Sequence, residues 1–359
     1  MSDPRRKPLV IVVGSGGVGK TTLAAAMGLR SAQSGEDSLV MTFDPSLRLK
    51  DALGVGDEAR DSEIEVAAGG EGRLWASLLD ARRTFDRLIE RYSPDETARQ
   101  RLLSNRFYDR LSGNLAGVLE YMASERLFEV ADSGRYSRII LDTPPTRQAL
   151  DFLGAPERIV SFLDSGALRI ALKPWFDDAG KLKVTSRLGI LGRNVEGFFD
   201  RMVGLELLRD MAEFFQAFAP LFDGFRERAL EVQELLRAPD TLFVLVSGPG
   251  GGRIADTLFF ARRLTEAGYQ LGPIVVNRVH PELPPVRDTA RAGRRLMGWL
   301  GQRDNEGVAE LRDLVGDSHP VVEIPLMPDE PTDLVSLAAL GELFEAGLDE
   351  ALKKAEESS

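Results

Sequence analysis

Apolar and polar positions alternate along this chain in blocks rather than residue by residue. Short, nearly continuous apolar runs occur at 9–14, 39–44, 139–142, 242–247, 274–277 and 321–324. A run without polar alternation is the pattern of a strand buried on both faces, as in a parallel sheet covered by helices. Stretches with helical spacing separate the runs, so the pattern predicts an α/β fold: a mainly parallel central sheet flanked by helices.

Two segments break this rhythm, 81–134 and 181–238, which carry helical spacing and no strand-like run. The second places Phe198, Met202, Leu205, Leu208, Met211, Phe215, Phe218, Phe222 and Phe225 at steps of three and four. Phe199, Leu207, Phe214 and Leu221 widen the stripe, and Pro220 is expected to kink or split the helix. The expected organisation is a core of 1–80, 135–180 and 239–350, an inserted helical subdomain of 81–134 and 181–238, and a charged, fraying tail at 351–359. Such a stripe serves either as the subdomain's own core, the commoner use, or as a groove for an apolar client helix.

The 359 residues allow a sizeable core, with 43% apolar and 28% charged residues, ordinary values for a globular protein. The formal charge of −11 argues against non-specific nucleic-acid binding, which needs a clustered basic face. Without any cysteine, thiolate-bound zinc, Fe–S clusters and disulfides are excluded, and His280 and His319 alone argue against a histidine-rich metal site. The run 9–13 is too short for a signal-peptide core, and no apolar stretch approaches the roughly 20 residues of a membrane span. The expected location is the cytoplasm.

Candidate chemistry concentrates behind the first run. Gly14-Ser15-Gly16-Gly17-Val18-Gly19-Lys20-Thr21-Thr22 fits G-x-x-x-x-G-K-[ST] between a strand-like run and a helical one, the setting a P-loop requires. Glycines let the backbone curl so that the N–H groups of Gly16, Gly17, Val18 and Gly19 face phosphates, reinforced by the helix N-terminus. Lys20 is expected on the β- and γ-phosphates, Thr21 on Mg²⁺, and Thr22 as a further phosphate contact. Strand-end aspartates supply the rest. Asp142, in Asp142-Thr143-Pro144-Pro145-Thr146, reads as the carboxylate that acts on Mg²⁺ directly or through water. Asp44 reads as the residue that orients the attacking water. ATP or ADP and Mg²⁺ are the implied ligands.

Taken together, the P-loop, the stretch from Asp44-Pro45-Ser46-Leu47-Arg48 to Gly54, the Asp142 stretch, Val276-Asn277-Arg278 and Ile324-Pro325-Leu326-Met327-Pro328-Asp329 resemble the ArsA-like ATPases. That group includes the arsenite-pump ATPase and the ATPase that delivers tail-anchored membrane proteins. The resemblance implies an ATPase that works as a nucleotide-gated dimer. It implies that Asp44 and Asp142 lie in two switches and that Asn277 hydrogen-bonds adenine. It also implies that a loop bearing Pro325 and Met327 closes over the base. On residue type alone, Asn277 could equally be a turn residue ending a strand.

Three departures stand out. The family's second P-loop position usually carries a lysine that reaches the partner's phosphates; here it is Ser15. Either another cation replaces it, with Arg48 and Arg147 as candidates, or the chain pairs with a lysine-bearing paralogue. Homodimer and heterodimer both stay open. Leu47 and Gln148 stand where the family commonly has switch histidines. Lack of cysteine removes both thiolate arsenite binding and a Cys-x-x-Cys intersubunit zinc. The leading expectation is an ATPase that handles a protein client, with an apolar membrane helix as the candidate client. The alternatives are an energising subunit of a membrane transporter and a ParA/MinD-like switch. The last lacks the basic face or amphipathic tail it would need.

Overall fold

The computed structural model describes residues 3–43, 48–60, 62–114, 117–164, 205–284 and 292–357. The strands are β1 (Leu9–Gly14), β2 (Ser38–Thr42), β3 (Ile64–Val66), β4 (Leu74–Leu78), β5 (Arg138–Asp142), β6 (Thr241–Ser247), β7 (Leu271–Val279) and β8 (Val321–Pro325). The helices are α1 (Lys20–Gln33), α2 (Arg48–Leu53), α3 (Ala81–Tyr92), α4 (Glu96–Leu103), α5 (Arg106–Asn114), α6 (Val118–Asp132) and α7 (Thr146–Asp164). They continue as α8 (Leu205–Phe218), α9 (Phe222–Arg237), α10 (Ile254–Glu266), α11 (Ala292–Val315) and α12 (Leu334–Glu357).

All six apolar runs are strands of one sheet, ordered β3-β4-β2-β5-β1-β6-β7-β8. Every neighbouring pair is parallel except β3–β4. The whole of β1 and the whole of β6 are buried, which explains their lack of polar alternation. The hydrophobic pattern misses β3 and β4. β3 has only three residues, and β4 reads Leu-Trp-Ala-Ser-Leu, where Ala76 and Ser77 dilute the apolar signal although both are buried.

β1 lies between β5 and β6, neither of which is the next strand after it in the chain. The connections from β1 therefore lead past its neighbours, leaving a crevice at the carboxyl ends of the strands where α/β sheets bind ligands. Helix α1 begins at that crevice and packs with α12 over the sheet, in a core that includes Leu23, Leu29, Leu337 and Phe344.

The described residues fall into two compact units, one from Met1–Leu79, Glu129–Leu150 and Leu235–Ser359, the other from Asp80–Phe128 and Asp151–Glu234. The expected core segment 135–180 differs here, because residues 151–164 group with the helical unit. The division falls inside the continuous helix α7, and helical periodicity does not record which unit a given turn packs on.

The helical unit has its own core. On α3, Phe85, Leu88 and Ile89 form one buried face, and Asp80 caps the helix by accepting from the Arg83 N–H at 3.1 Å. Phe214, Phe218, Leu221 and Phe225 of the expected stripe are buried in this core. Phe218 meets Phe225 edge-on at 4.7 Å between ring centres. Pro220 splits the stripe as expected: a single 3-10 turn, Ala219–Leu221, separates α8 from α9. Phe198, Phe199 and Met202 lie outside the described residues. The unit also buries an ion pair. Arg228 Nε donates to Glu125 Oε1 at 2.7 Å, each side chain 3% exposed, with the guanidinium 4.1 Å from the Phe128 ring centre.

Candidate active site

The loop between β1 and α1 takes its shape from three glycines with positive φ: Gly14 (146°), Gly17 (76°) and Gly19 (93°). Two of them also have no room for a side chain. A Cβ on Gly14 would sit 2.0 Å from the Val246 carbonyl oxygen of β6, and one on Gly19 would sit 2.4 Å from Asn277 Nδ2. Gly16 and Gly17 are exposed at the tip, while Val18 is buried beneath them. Lys20, only 6% exposed, curls back so that Nζ donates to the Ser15 carbonyl at 2.9 Å. This folds the lysine back over the loop, whose backbone has the curl of loops that cradle phosphates.

β5 ends beside this loop because Val12 pairs in register with Asp142. The Asp142 carboxylate is completely buried, and its Oδ2 accepts from Thr21 Oγ1 at 2.7 Å and from Thr42 Oγ1 at 2.9 Å. Thr143 fixes the following turn by donating from Oγ1 to the Val12 carbonyl at 2.8 Å. Pro145 is then brought within 3.7 Å of the Cβ position of Gly16. The structure thus joins Lys20, Thr21 and Asp142, three of the residues named from sequence. A hydroxyl beside a carboxylate is an oxygen donor set of the hard kind that Mg²⁺ takes. Thr42 was missed. Its signal was a hydroxyl two residues before Asp44 on a strand end, which acquires meaning only once β2 lies next to β5. Asp44 itself lies outside the described residues, and the side chains of Arg48, Thr146 and Arg147 are likewise undescribed.

The other end of the crevice is built by β7 and β8. Asn277, 5% exposed, donates from Nδ2 to the Val18 carbonyl at 2.8 Å. It pairs across the sheet with Ile324, and Val279 pairs with Pro325. The chain leaving β8 is tied down by Leu326 N–H donating to the Val279 carbonyl at 2.8 Å. Met327 packs partly buried against the main core. Asn277 thus touches the P-loop directly, and Pro325 and Met327 lie at and just after the end of the neighbouring strand.

Between them lies a residue that the sequence reading quoted within Val276-Asn277-Arg278 without giving it a role. Arg278 has φ 65°, the only positive φ outside glycine among the described residues. Its Nη1 donates to the Gly17 carbonyl and its Nη2 to Glu330 Oε1, both at 3.4 Å. A left-handed non-glycine residue costs about 1–3 kcal/mol, whereas exposed ion pairs of this sort return about 0–1 kcal/mol. Beyond it, His280 is held by the fully buried Asp304 of α11, whose Oδ2 accepts from the His280 N–H at 3.2 Å and lies 2.6 Å from Nδ1. Arg303 Nη2 donates to Asp304 Oδ1 at 2.7 Å. Burial by itself raises the Asp304 carboxyl, but the bonds from Arg303 and His280 outweigh it and hold the group below the usual carboxylate range.

A glycine-lined strand-to-helix loop with its lysine, threonine and buried aspartate at a sheet switch point defines a P-loop nucleoside triphosphatase. A model of the anion-transporting ATPase (ArsA ATPase) family matches residues 7–345. The chain belongs to that family and is an ATPase. It is 27% identical over 344 residues to the ATPase GET3 of Malassezia globosa, covering 95% of this chain and 91% of that protein. It is 25% identical to the ATPase GET3 of Mycosarcoma maydis over 332 residues, 91% and 87% of the two chains. A protein of Aquifex aeolicus named putative arsenical pump-driving ATPase 1 is 26% identical over 343 residues, 94% of this chain and 78% of its own. Among the described residues no helix is long and apolar enough to cross a membrane.

Proposed function

We propose that this ATPase hydrolyses ATP with Mg²⁺ as a nucleotide-gated cytosolic dimer and uses the cycle to handle a protein client with an apolar helix. The observation that carries the hydrolytic part is the 2.7 Å contact between Thr21 Oγ1 and Asp142 Oδ2 beside the Lys20 loop. Thr21 and Asp142 would hold the metal, which would neutralise charge on the β- and γ-phosphates. The N–H groups of Gly16, Gly17, Val18, Gly19 and Thr22 face the phosphates, and Lys20 moves from the Ser15 carbonyl to their oxygens. Asp44 orients a water for attack on the γ-phosphorus, releasing phosphate and leaving ADP. Asn277 takes the adenine, with Pro325 and Met327 in the loop beside it.

Asp142 ends β5, and four peptide bonds separate it from Thr146, the first residue of α7, so a carboxylate beside the phosphates is joined by a short link to a long helix. The dimer is supported by the family resemblance; Ser15, which lacks the charge and reach of a lysine, departs from it. A lysine-bearing paralogue as partner would restore that cation. The client helix is supported by the same resemblance and by the stripe from 198 onward, of which the part after Met211 is committed to the unit's own core. The name of the Aquifex relative favours a second reading, an energising subunit of a transporter; with no cysteine, its cargo is not held by thiolates.

The test measures ATP hydrolysis and oligomeric mass together, with Mg²⁺, for the wild type, Lys20→Ala and Ser15→Lys. Hydrolysis by a wild-type dimer, lost in Lys20→Ala, supports a self-sufficient ATPase. Nucleotide binding without turnover, rescued by Ser15→Lys, supports a lysine-bearing partner. A wild type that hydrolyses ATP as a monomer with unchanged rate at every concentration refutes the dimer.

A further inference from the structure

Asn277 and Arg278 are consecutive, and they grip consecutive carbonyls of the phosphate loop. Asn277 reaches Val18 and Arg278 reaches Gly17. For two neighbours at a strand end to point the same way, the backbone must leave the extended conformation, and it does so at Arg278, with φ 65°. Glycine would take that conformation freely; an arginine stands there instead.

What the arginine gains in the free chain is small. Its two contacts are long, 3.4 Å each, and Glu330 is 81% exposed. Its side chain spans from the tip of the P-loop to the segment following β8, the two edges between which Asn277 and Pro325 place a base. The side chain is 44% exposed, which leaves a planar guanidinium open for a partner. Planar, weakly hydrated guanidinium groups stack on flat π-systems, nucleobases included.

We infer that Arg278 is a nucleobase-binding residue: its guanidinium lies flat on the adenine while its edge keeps hold of the Gly17 carbonyl, so that one side chain ties base recognition to the shape of the phosphate loop. The inference rests on the proposed adenine site at Asn277 and deepens it. The segment after Arg278 is held rigidly enough to serve, with Val279 paired to β8 and His280 bound to buried Asp304.

The experiment titrates ADP and inorganic tripolyphosphate into the full chain by calorimetry, for the wild type, Arg278→Gly and Asn277→Ala. Glycine removes the side chain and relaxes the backbone, so Arg278→Gly melts no lower than the wild type, and loss of binding cannot be blamed on unfolding. Arg278→Gly is expected to weaken ADP about tenfold, within the range for loss of one stacking partner, and to leave tripolyphosphate within about twofold. The KM for ATP rises with little change in kcat. Unchanged ADP affinity in Arg278→Gly, with ADP weakened in Asn277→Ala, overturns the role of Arg278 and leaves the base site standing. Unchanged ADP affinity in both variants removes the base site as well. An equal loss for ADP and tripolyphosphate overturns stacking and makes Arg278 a phosphate-loop support.

Discussion

At the end of β5, the buried Asp142 carboxylate takes hydrogen bonds from two threonine hydroxyls, Thr21 and Thr42. In the helical unit, the equally buried Glu125 takes its bond from the guanidinium of Arg228, which also donates to Glu231 at 3.1 Å. Both arrangements satisfy a carboxylate away from water, and they do so with different consequences. The two threonine hydroxyls orient the Asp142 carboxylate at the start of α1 beside the P-loop. An arginine cancels the charge, so Glu125 and Arg228 join α6 to α9 and project little field beyond themselves. One buried carboxylate is suited to chemistry, the other to holding helices together.

Substitutions in the two clusters should therefore separate activity from stability. The largest effect is expected from Arg228→Met, which leaves Glu125 buried without its cation and should cost about 3–5 kcal/mol of stability. Denaturant unfolding checks it, and Arg228→Met combined with Glu125→Leu should recover most of the loss, because the orphaned charge is gone. A double variant as unstable as the single one would show that the pair is not the source. Next comes Asp142→Asn. It keeps the shape and the acceptor for both threonines but removes the charge. Hydrolysis should fall roughly 100-fold, in the range for one transition-state electrostatic partner, with a melting temperature close to wild type. A variant that unfolds yet keeps its turnover per folded molecule would erase the contrast with Glu125.

Asp304→Asn should act more gently. It loosens the chain after Arg278, and ADP affinity is expected to fall a few-fold, about 1 kcal/mol, the worth of a weakened charge-assisted bond. Because the Asp304 carboxyl is held low in the folded chain, its contribution is present above the unfolded pKa of about 4 and is lost as pH falls through the folded value. The wild type should therefore lose more stability than Asp304→Asn in acid.

The smallest effect belongs to Tyr121→Phe in the helical unit. The Tyr121 hydroxyl is buried and has no hydrogen-bond partner among the described residues. Removing it should change stability by about 0 to +1 kcal/mol near neutrality. Burial, followed by the nearby charge of Glu125, pushes this phenol well above its ordinary range. Its stability contribution is complete below about pH 10 and declines as pH rises past that point, where only the unfolded chain ionises. The wild type should thus lose stability in alkali faster than Tyr121→Phe, as melting curves between pH 8 and 11 would reveal.

Much of the sheet unit was legible in the chain itself. A strand buried on both faces has to be apolar throughout, so β1, β2, β5, β6, β7 and β8 announced themselves, and the phosphate loop did so because only glycines allow its curl. Lys20, Thr21 and Asp142 were named from their places behind such strands. The stripe through Phe225 showed a helical face and its break at Pro220, but not whether that face was core; the packing of Phe85, Phe214 and Phe218 decided that for its described half. β3 and β4 stayed hidden because three residues, or five with Ala and Ser among them, carry too little apolar signal. Thr42 and Arg278 gave no local sign of a role. Thr42 acquires one because β2 lies beside β5, and Arg278 because β7 ends beside the phosphate loop. Local sequence determines which backbone shapes and faces are favourable, since those depend on residues a few positions apart. Which side chains meet across the sheet, 100 or more positions apart for Thr42–Asp142 and 259 for Asn277–Val18, was decided only by the order of the strands.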